Sequence, residues 1–337
     1  MRDVLVPLAI DPAPAPPGSR LLALSGVAMG SGWSARLMLP AGVHVDLQTD
    51  LHAELDAVVA QMSHWDDDSL LARYNRAPGG SWHDLPPQFF AVIDYALSVQ
   101  AMSGGAYDPA AGALVDLWGF GAAGRYDQAG FYAPAAPAIV DVLARRRSAQ
   151  PQLNRDARRL LQPGGAQLDL SAVAKGYAVD CLAMCLERHG IHHYLVEAGG
   201  ELRGAGVKSD GQPWWVEIEG VPDATAGQAP LLALHGLAVA TSGDYRRHFR
   251  HAGRRISHTL DPRSGQPIAN GVASCTVIAA TCMAADALST AFTVLGPQAG
   301  MALAGREGIA ARFLLRGPDA GAPLTELTSP AWRALLQ

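Results

Sequence analysis

From Asp169 to Asp180 the chain reads Asp-Leu-Ser-Ala-Val-Ala-Lys-Gly-Tyr-Ala-Val-Asp, a polar, glycine-containing junction between a strand-like run and a helical one. A helix N-terminus offers unpaired N–H groups and a partial positive charge, and Lys175 adds a full one, so this junction suits anionic phosphate. A simple capping turn explains the same residues equally well. Farther on, in Met283-Ala284-Ala285-Asp286-Ala287-Leu288-Ser289-Thr290, Asp286 and Thr290 stand at helical spacing that puts both oxygens on one face. A carboxylate with a hydroxyl suits a hard ion such as Mg²⁺, whose shell is completed by water, carbonyls and substrate phosphates. Taken alone, the pair reads more simply as a solvated face or a local hydrogen bond. Ser257-His258-Thr259-Leu260-Asp261-Pro262-Arg263-Ser264-Gly265 carries one histidine in a turn, a side chain able to move protons near neutrality but more commonly structural there.

Such residues need a frame. Leu22, Leu24, Val27 and Met29, then Trp33, Ala35, Leu37 and Leu39, read as two strands joined at Gly30-Ser31-Gly32, a hairpin. Leu47, Leu51, Leu55, Val58, Val59 and Met62 recur at helical spacing behind Asp46, which predicts a helix over 46–62 with an N-cap. Further helices are expected over Phe89–Val99 behind Pro86 and Pro87, over 137–147, over 176–188 ending at Gly190, over 283–295 and over 300–306. Tyr194–Glu197, Trp214–Glu219, Leu237–Thr241 and Ser274–Ala279 read as strands. Gly104–Gly124 is glycine-rich without a clear period, and long irregular segments in compact domains are commonly functional. Residues 1–20, with Pro7, Pro12, Pro14, Pro16 and Pro17, favour an extended, weakly ordered lead-in. Residues 21–337 are expected to form one domain, with two intertwined subdomains as the alternative division. Strands that cluster as well as alternate with helices indicate an α+β fold.

Composition narrows the function classes. Of 337 residues, 49 % are hydrophobic and 17 % charged, which excludes long intrinsic disorder. A formal charge of −5, with no run of basic residues longer than Arg145-Arg146-Arg147, argues against nucleic acid as a partner. Cys181 and Cys185 lack C-x-x-C spacing, and the four cysteines are read as buried free thiols. Gly30-Ser31-Gly32-Trp33-Ser34-Ala35 matches a dinucleotide-binding glycine pattern, and Asp50 lies where its ribose-binding acid would. The match is set aside, because that loop must open a helix whereas Ser34–Leu39 alternates like a strand. Val4–Ile10 is interrupted by Pro7 and followed by Asp11, there is no lipobox-like cysteine, and no stretch nears the roughly 20 apolar residues of a membrane helix. The expectation is a soluble protein, cytoplasmic as written and periplasmic if the N-terminus is trimmed.

Seven segments then follow one another in order: Gly105-Ala106-Tyr107-Asp108-Pro109, Asp116-Leu117-Trp118-Gly119-Phe120-Gly121, Asp169–Asp180, Glu197-Ala198-Gly199-Gly200-Glu201, Ala240-Thr241-Ser242-Gly243-Asp244-Tyr245, the His258 segment and 285–290. Over residues 25–310 the chain resembles the ApbE family, the FAD:protein FMN transferases. The resemblance implies an α+β fold of antiparallel or mixed sheets packed by helices. It implies a Mg²⁺-dependent enzyme that splits FAD, attaches FMN to a Thr or Ser of an acceptor flavoprotein, such as a membrane redox-complex subunit, and releases AMP.

Carried over by position, the resemblance gives Asp286 and Thr290 as Mg²⁺ ligands by side chain and Ala172 by its carbonyl. FAD contacts fall on Met29, Trp65, Ala106, Tyr107, Asp108, Asp169, Lys175 and, through its backbone, Leu260. Trp65 stands where tyrosine is often expected; either ring can stack on a flavin or adenine. His258, beside Leu260, is the candidate general base. Tyr177, Asp180, Glu197, Asp244, Tyr245 and Arg263 lie in the same segments, could equally hold loops and strands together, and are left out of the catalytic set; Trp118 and Phe120 are read as core anchors. Two other functions stay open: an FAD pyrophosphatase yielding FMN and AMP, and a non-catalytic FAD-binding protein.

Overall fold

The computed structural model describes residues 2–10, 13–123, 125–221, 229–245, 247–251, 253–317 and 322–336. Asp11 and Pro12 of the lead-in, and Gly124 at the end of the glycine-rich stretch, lie outside the described residues. In chain order come β1 (Val4–Leu5), β2 (Arg20–Ala28), β3 (Ser31–Leu39), α1 (Leu47–Met62), α2 (Leu70–Arg76), β4 (Ser81–Asp84), α3 (Pro87–Met102), α4 (Gly112–Leu117) and α5 (Ala136–Ser148). Then follow β5 (Gln152–Asn154), β6 (Arg159–Gln162), α6 (Ala174–Arg188), β7 (Tyr194–Ala198), β8 (Glu201–Ala205), β9 (Trp214–Glu217), β10 (Leu231–Leu234), β11 (Leu237–Gly243), β12 (His248–His251) and β13 (Arg254–Ser257). The chain closes with β14 (Leu260–Asp261), β15 (Gln266–Pro267), β16 (Val272–Ala279), α7 (Cys282–Arg306), β17 (Ala310–Leu315), β18 (Thr325–Thr328) and α8 (Pro330–Ala334).

One antiparallel eight-stranded sheet, ordered β18-β17-β16-β11-β8-β7-β3-β2, carries α1, α6 and α7 on one face. Strand alternation divides the core. Trp33, Ala35, Leu37 and Leu39 of β3 pack under the helices, while Met38 faces the opposite side with Trp214, Leu232, Leu234 and Trp332. This is the expected α+β architecture. The hairpin lies where alternation predicts it, but its turn is Met29-Gly30, both with positive φ (52° and 70°), as a two-residue type I′ connection requires. Ser31 and Gly32 therefore belong to β3, and the glycine pattern opens a strand.

Helix α1 begins behind Asp46, which accepts a hydrogen bond from the Thr49 N–H at 3.2 Å. The two helical stretches expected near the C-terminus are halves of α7, broken at Gly296 (φ 78°, ψ 177°) before Pro297. Pro297 has no N–H for the Thr293 carbonyl, and the Asn270 amide donates to that oxygen instead at 2.9 Å. Two expectations give way. The stretch 104–124 contains α4, where Leu114 is fully buried. Weak order over 1–20 does not extend to Val4–Leu5: β1 pairs in parallel with β10, and Leu5 is buried, a gain of roughly 1.5–3 kcal/mol for an apolar side chain of that size.

Candidate active site

A cavity of about 380 Å³ opens where the β2–β3 turn, the end of β11, the start of α6 and the N-terminal half of α7 converge. Met29 reaches it from the turn, and Ala106, Tyr107 and Asp108 from the loop before α4. Asp169, Ala172 and Lys175 line it at the start of α6, Asp286 and Thr290 from α7, and His258 and Leu260 after β13. Of the residues read from sequence, Trp65 alone is not in the wall. Its ring is half exposed and packs against His64 at 4.9 Å, and His64 stands 3.8 Å from Asp169.

The two helices that carry the centre are capped by each other. Gly176, in the first turn of α6, donates its N–H to Asp286 Oδ2 at 2.9 Å. One turn along α6, the Asp180 carboxylate accepts the Cys282 and Met283 N–H groups at the start of α7, at 2.9 and 2.8 Å. Arg203 closes the arrangement with a 2.8 Å bond to Asp180. Only glycine fits at 176, since a Cβ there would come within 2.3 Å of the Cys282 carbonyl. Asp286 is 4 % exposed; burial raises its pKa, and the Lys175 charge and the Gly176 N–H oppose that rise.

This crossing alters one expectation. The N–H groups of Ser171, Val173, Ala174 and Gly176 are taken by Asp169, Leu170, Leu170 and Asp286, so they do not form an open phosphate cradle. Lys175 pairs with the buried Glu201 carboxylate. Asp108 is held by Arg146 in a buried ion pair, and Arg146 also donates to the Pro262 and Ala110 carbonyls at 2.7 and 3.1 Å. Glu201 and Arg146 were not in the sequence-derived set. Glu201 lies inside a quoted motif, which is its only signal; Arg146 sits in a basic helix end and has none.

Two side chains are poised for a ligand. Tyr107 Oη is buried without a hydrogen-bond partner among the described residues. Burial, then the charges of Asp286, Asp169 and Asp108, raise its pKa, so it stays a neutral donor. His258 is half-buried, and its Nδ1 is 2.9 Å from the Arg247 carbonyl, which can only accept. Nδ1 therefore carries the proton and Nε2 the free lone pair. Burial, aided by the Arg247 and Lys175 charges, lowers the pKa of this ring to about 4. The described residues contain no group of three or more His, Cys, Asp or Glu that could enclose a metal. One carboxylate, one hydroxyl and a nearby carbonyl fit instead a hard cation that shares its shell with substrate oxygens.

A sequence model of the ApbE family matches residues 29–313. The chain belongs to the ApbE family. This ApbE chain is similar to the FAD:protein FMN transferase of Klebsiella pneumoniae (strain 342), with 34 % identity over 96 % of this chain and 91 % of the relative. It is similar also to that of Escherichia coli (strain K12), with 33 % identity over 88 % of this chain and 84 % of the relative. Among solved structures, the apo flavinyl transferase ApbE of Pseudomonas stutzeri superposes with a TM-score of 0.84 at 36 % identity, covering 94 % of this chain and 97 % of that one. None of the described helices is long and apolar enough to cross a membrane.

Proposed function

We propose that this ApbE-family chain is a FAD:protein FMN transferase that moves FMN from FAD to a Thr or Ser hydroxyl of an acceptor flavoprotein, such as a membrane redox-complex subunit, and releases AMP. The observation that carries this reading is the meeting, in one cavity, of Asp286, Thr290 and Ala172 with a neutral His258 and the unpartnered hydroxyl of Tyr107. Asp286, Thr290 and the Ala172 carbonyl would hold Mg²⁺, which supplies charge neutralisation at the pyrophosphate.

The chain's own residues do the rest. His258 Nε2 accepts the proton as the acceptor's hydroxyl oxygen bonds to the FMN-side phosphorus. The bond from that phosphorus to the bridging oxygen breaks, and AMP leaves with the electron pair. Tyr107 Oη donates a hydrogen bond to a phosphate oxygen, gaining the partner it otherwise lacks. Arg146 keeps Asp108 and the Pro262 turn in place beside the donor.

The test incubates the protein with FAD, Mg²⁺ and candidate flavoprotein subunits encoded in the same genome. The expected result is a fluorescent acceptor band with an FMN-sized mass increase on a Thr or Ser. Free FMN and AMP without any labelled acceptor would instead mark a hydrolase.

A further inference from the structure

Residues 246–255 read Arg-Arg-His-Phe-Arg-His-Ala-Gly-Arg-Arg, without one acid, in a chain whose formal charge is −5. They include β12 and β13, a two-stranded ribbon outside the main sheet. An isolated hairpin is marginal, and this one is anchored through a single face: Phe249 and Ile256 sit opposite each other and pack into the cluster around Phe120. The other face carries His248, Arg250 and Arg255. Arg250 stands directly across the ladder from Arg255, and both are exposed. Like charges in that position destabilise a ribbon, so the sequence holds them there against the fold's interest.

Arg255 is answered in part, standing 4.0 Å from the Asp244 carboxylate and donating to the Asp244 carbonyl at 2.8 Å, whereas Arg250 is not. The Asp244 carboxylate is engaged by Arg316 at 2.6 Å, and Asp127 by Arg125. Arg250 has no acidic partner among the described residues. Nor do Arg250 and Arg255 serve the cavity, whose wall takes Arg247 and His258, side by side at the base of the ribbon. The ribbon rises from the cavity wall, and four residues of strand carry it about 13 Å outward.

We infer that the solvent-facing side of β12–β13 docks an acidic segment of the acceptor protein, holding it while the neighbouring hydroxyl enters between Arg247 and His258. The inference rests on the transferase reading for the identity of the partner; the basic face is independent of it.

The experiment uses the full chain and the variant Arg250→Glu. The probes are a fluorescein-labelled peptide with one threonine flanked by glutamates and its counterpart with glutamines, read by anisotropy without FAD. At about 10 mM salt the glutamate peptide should bind the unaltered protein about tenfold more tightly than the glutamine peptide, and near 1 M salt the preference should vanish. Arg250→Glu should abolish the preference while leaving the melting temperature unchanged or higher, because it replaces a repulsive cross-strand pair by an attractive one. Mg²⁺-dependent conversion of FAD in the absence of acceptor should be equal in both proteins. Equal binding of the two peptides, or a preference retained by Arg250→Glu, overturns the inference. So does Arg250-dependent co-sedimentation with phosphatidylglycerol vesicles without peptide discrimination, which would assign the face to anionic lipid. If FAD is neither cleaved nor transferred by either protein while the peptide preference holds, the transferase reading fails and the docking surface stands.

Discussion

Replacing Asp180 by asparagine removes a carboxylate that touches no substrate in the reading above and yet fixes the centre. The group accepts three hydrogen bonds, a buried one from Cys282 N–H and two part-buried ones from Met283 N–H and Arg203. The amide that replaces it keeps one oxygen for Cys282 N–H and Arg203, which share Oδ1, turns its NH₂ toward the Met283 N–H, and leaves the Arg203 cation facing a neutral group, with Glu187 3.5 Å away. Removing the charge from the Arg203 pair and leaving the part-buried Met283 N–H unsatisfied gives about 3 kcal/mol, at the low end of the roughly 3–5 kcal/mol found when one partner of a buried ion pair is removed. Urea unfolding should show that loss as a lower midpoint at unchanged slope. Because Asp180 sets the depth of α7 against α6, the folded variant should also bind metal about 10–100-fold more weakly, read by Mn²⁺ paramagnetic resonance, with FAD affinity in chelator unchanged. A stability within about 0.5 kcal/mol of the unaltered protein, or an unchanged Mn²⁺ affinity, would refute the cross-capping argument.

Three other outcomes follow from the same site. His258→Ala should slow transfer by about 10²–10⁴-fold at saturating FAD and acceptor, and an unchanged rate would remove it as the base. With its folded pKa at about 4, below the ordinary 6.5, the neutral ring favours the folded state above pH 6.5 and that contribution is lost as pH falls toward 4; the His258-dependent limb of activity should fall over the lower end of that window, followed by stopped transfer assays from neutrality down to pH 4. Tyr107→Phe should leave thermal stability unchanged or raised, since the hydroxyl it removes has no partner among the described residues, while kcat/KM for FAD drops about tenfold; a fall in stability without a kinetic change would contradict it. Dialysis against a chelator should abolish transfer, Mg²⁺ should restore it, and Asp286→Asn should need far more Mg²⁺ for the same rate.

Local physics made much of the frame legible. The period of Leu47–Met62 and the Asp46 cap gave α1, and Gly296-Pro297 divided α7 where helical backbone cannot continue. The strand pattern of Ser34–Leu39 was enough to dismiss a dinucleotide loop. Residues that act across the fold left weaker traces. Arg146 meets Asp108, and Asp180 meets Cys282, only because distant segments are brought together, and neither spacing nor composition encodes that. Lys175 reads from the sequence as a phosphate anchor, and the fold adds a partner that spacing does not encode, the buried Glu201. Trp65 was placed by position alone and stands outside the wall. Val4–Leu5 was hidden by surrounding prolines, because its partner β10 is far away in sequence.

The break at Gly296 has an evolutionary side. Thr290 lies on the N-terminal half of α7, and the carbonyl stranded by Pro297 is served by a side chain from another loop. The two halves of α7 are thus separate rods, and each can follow its own line across the sheet from the joint at Gly296. The second rod is held by its own packing, with Leu303 and Ala304 buried in the main core and Gly300 against Phe313 of β17.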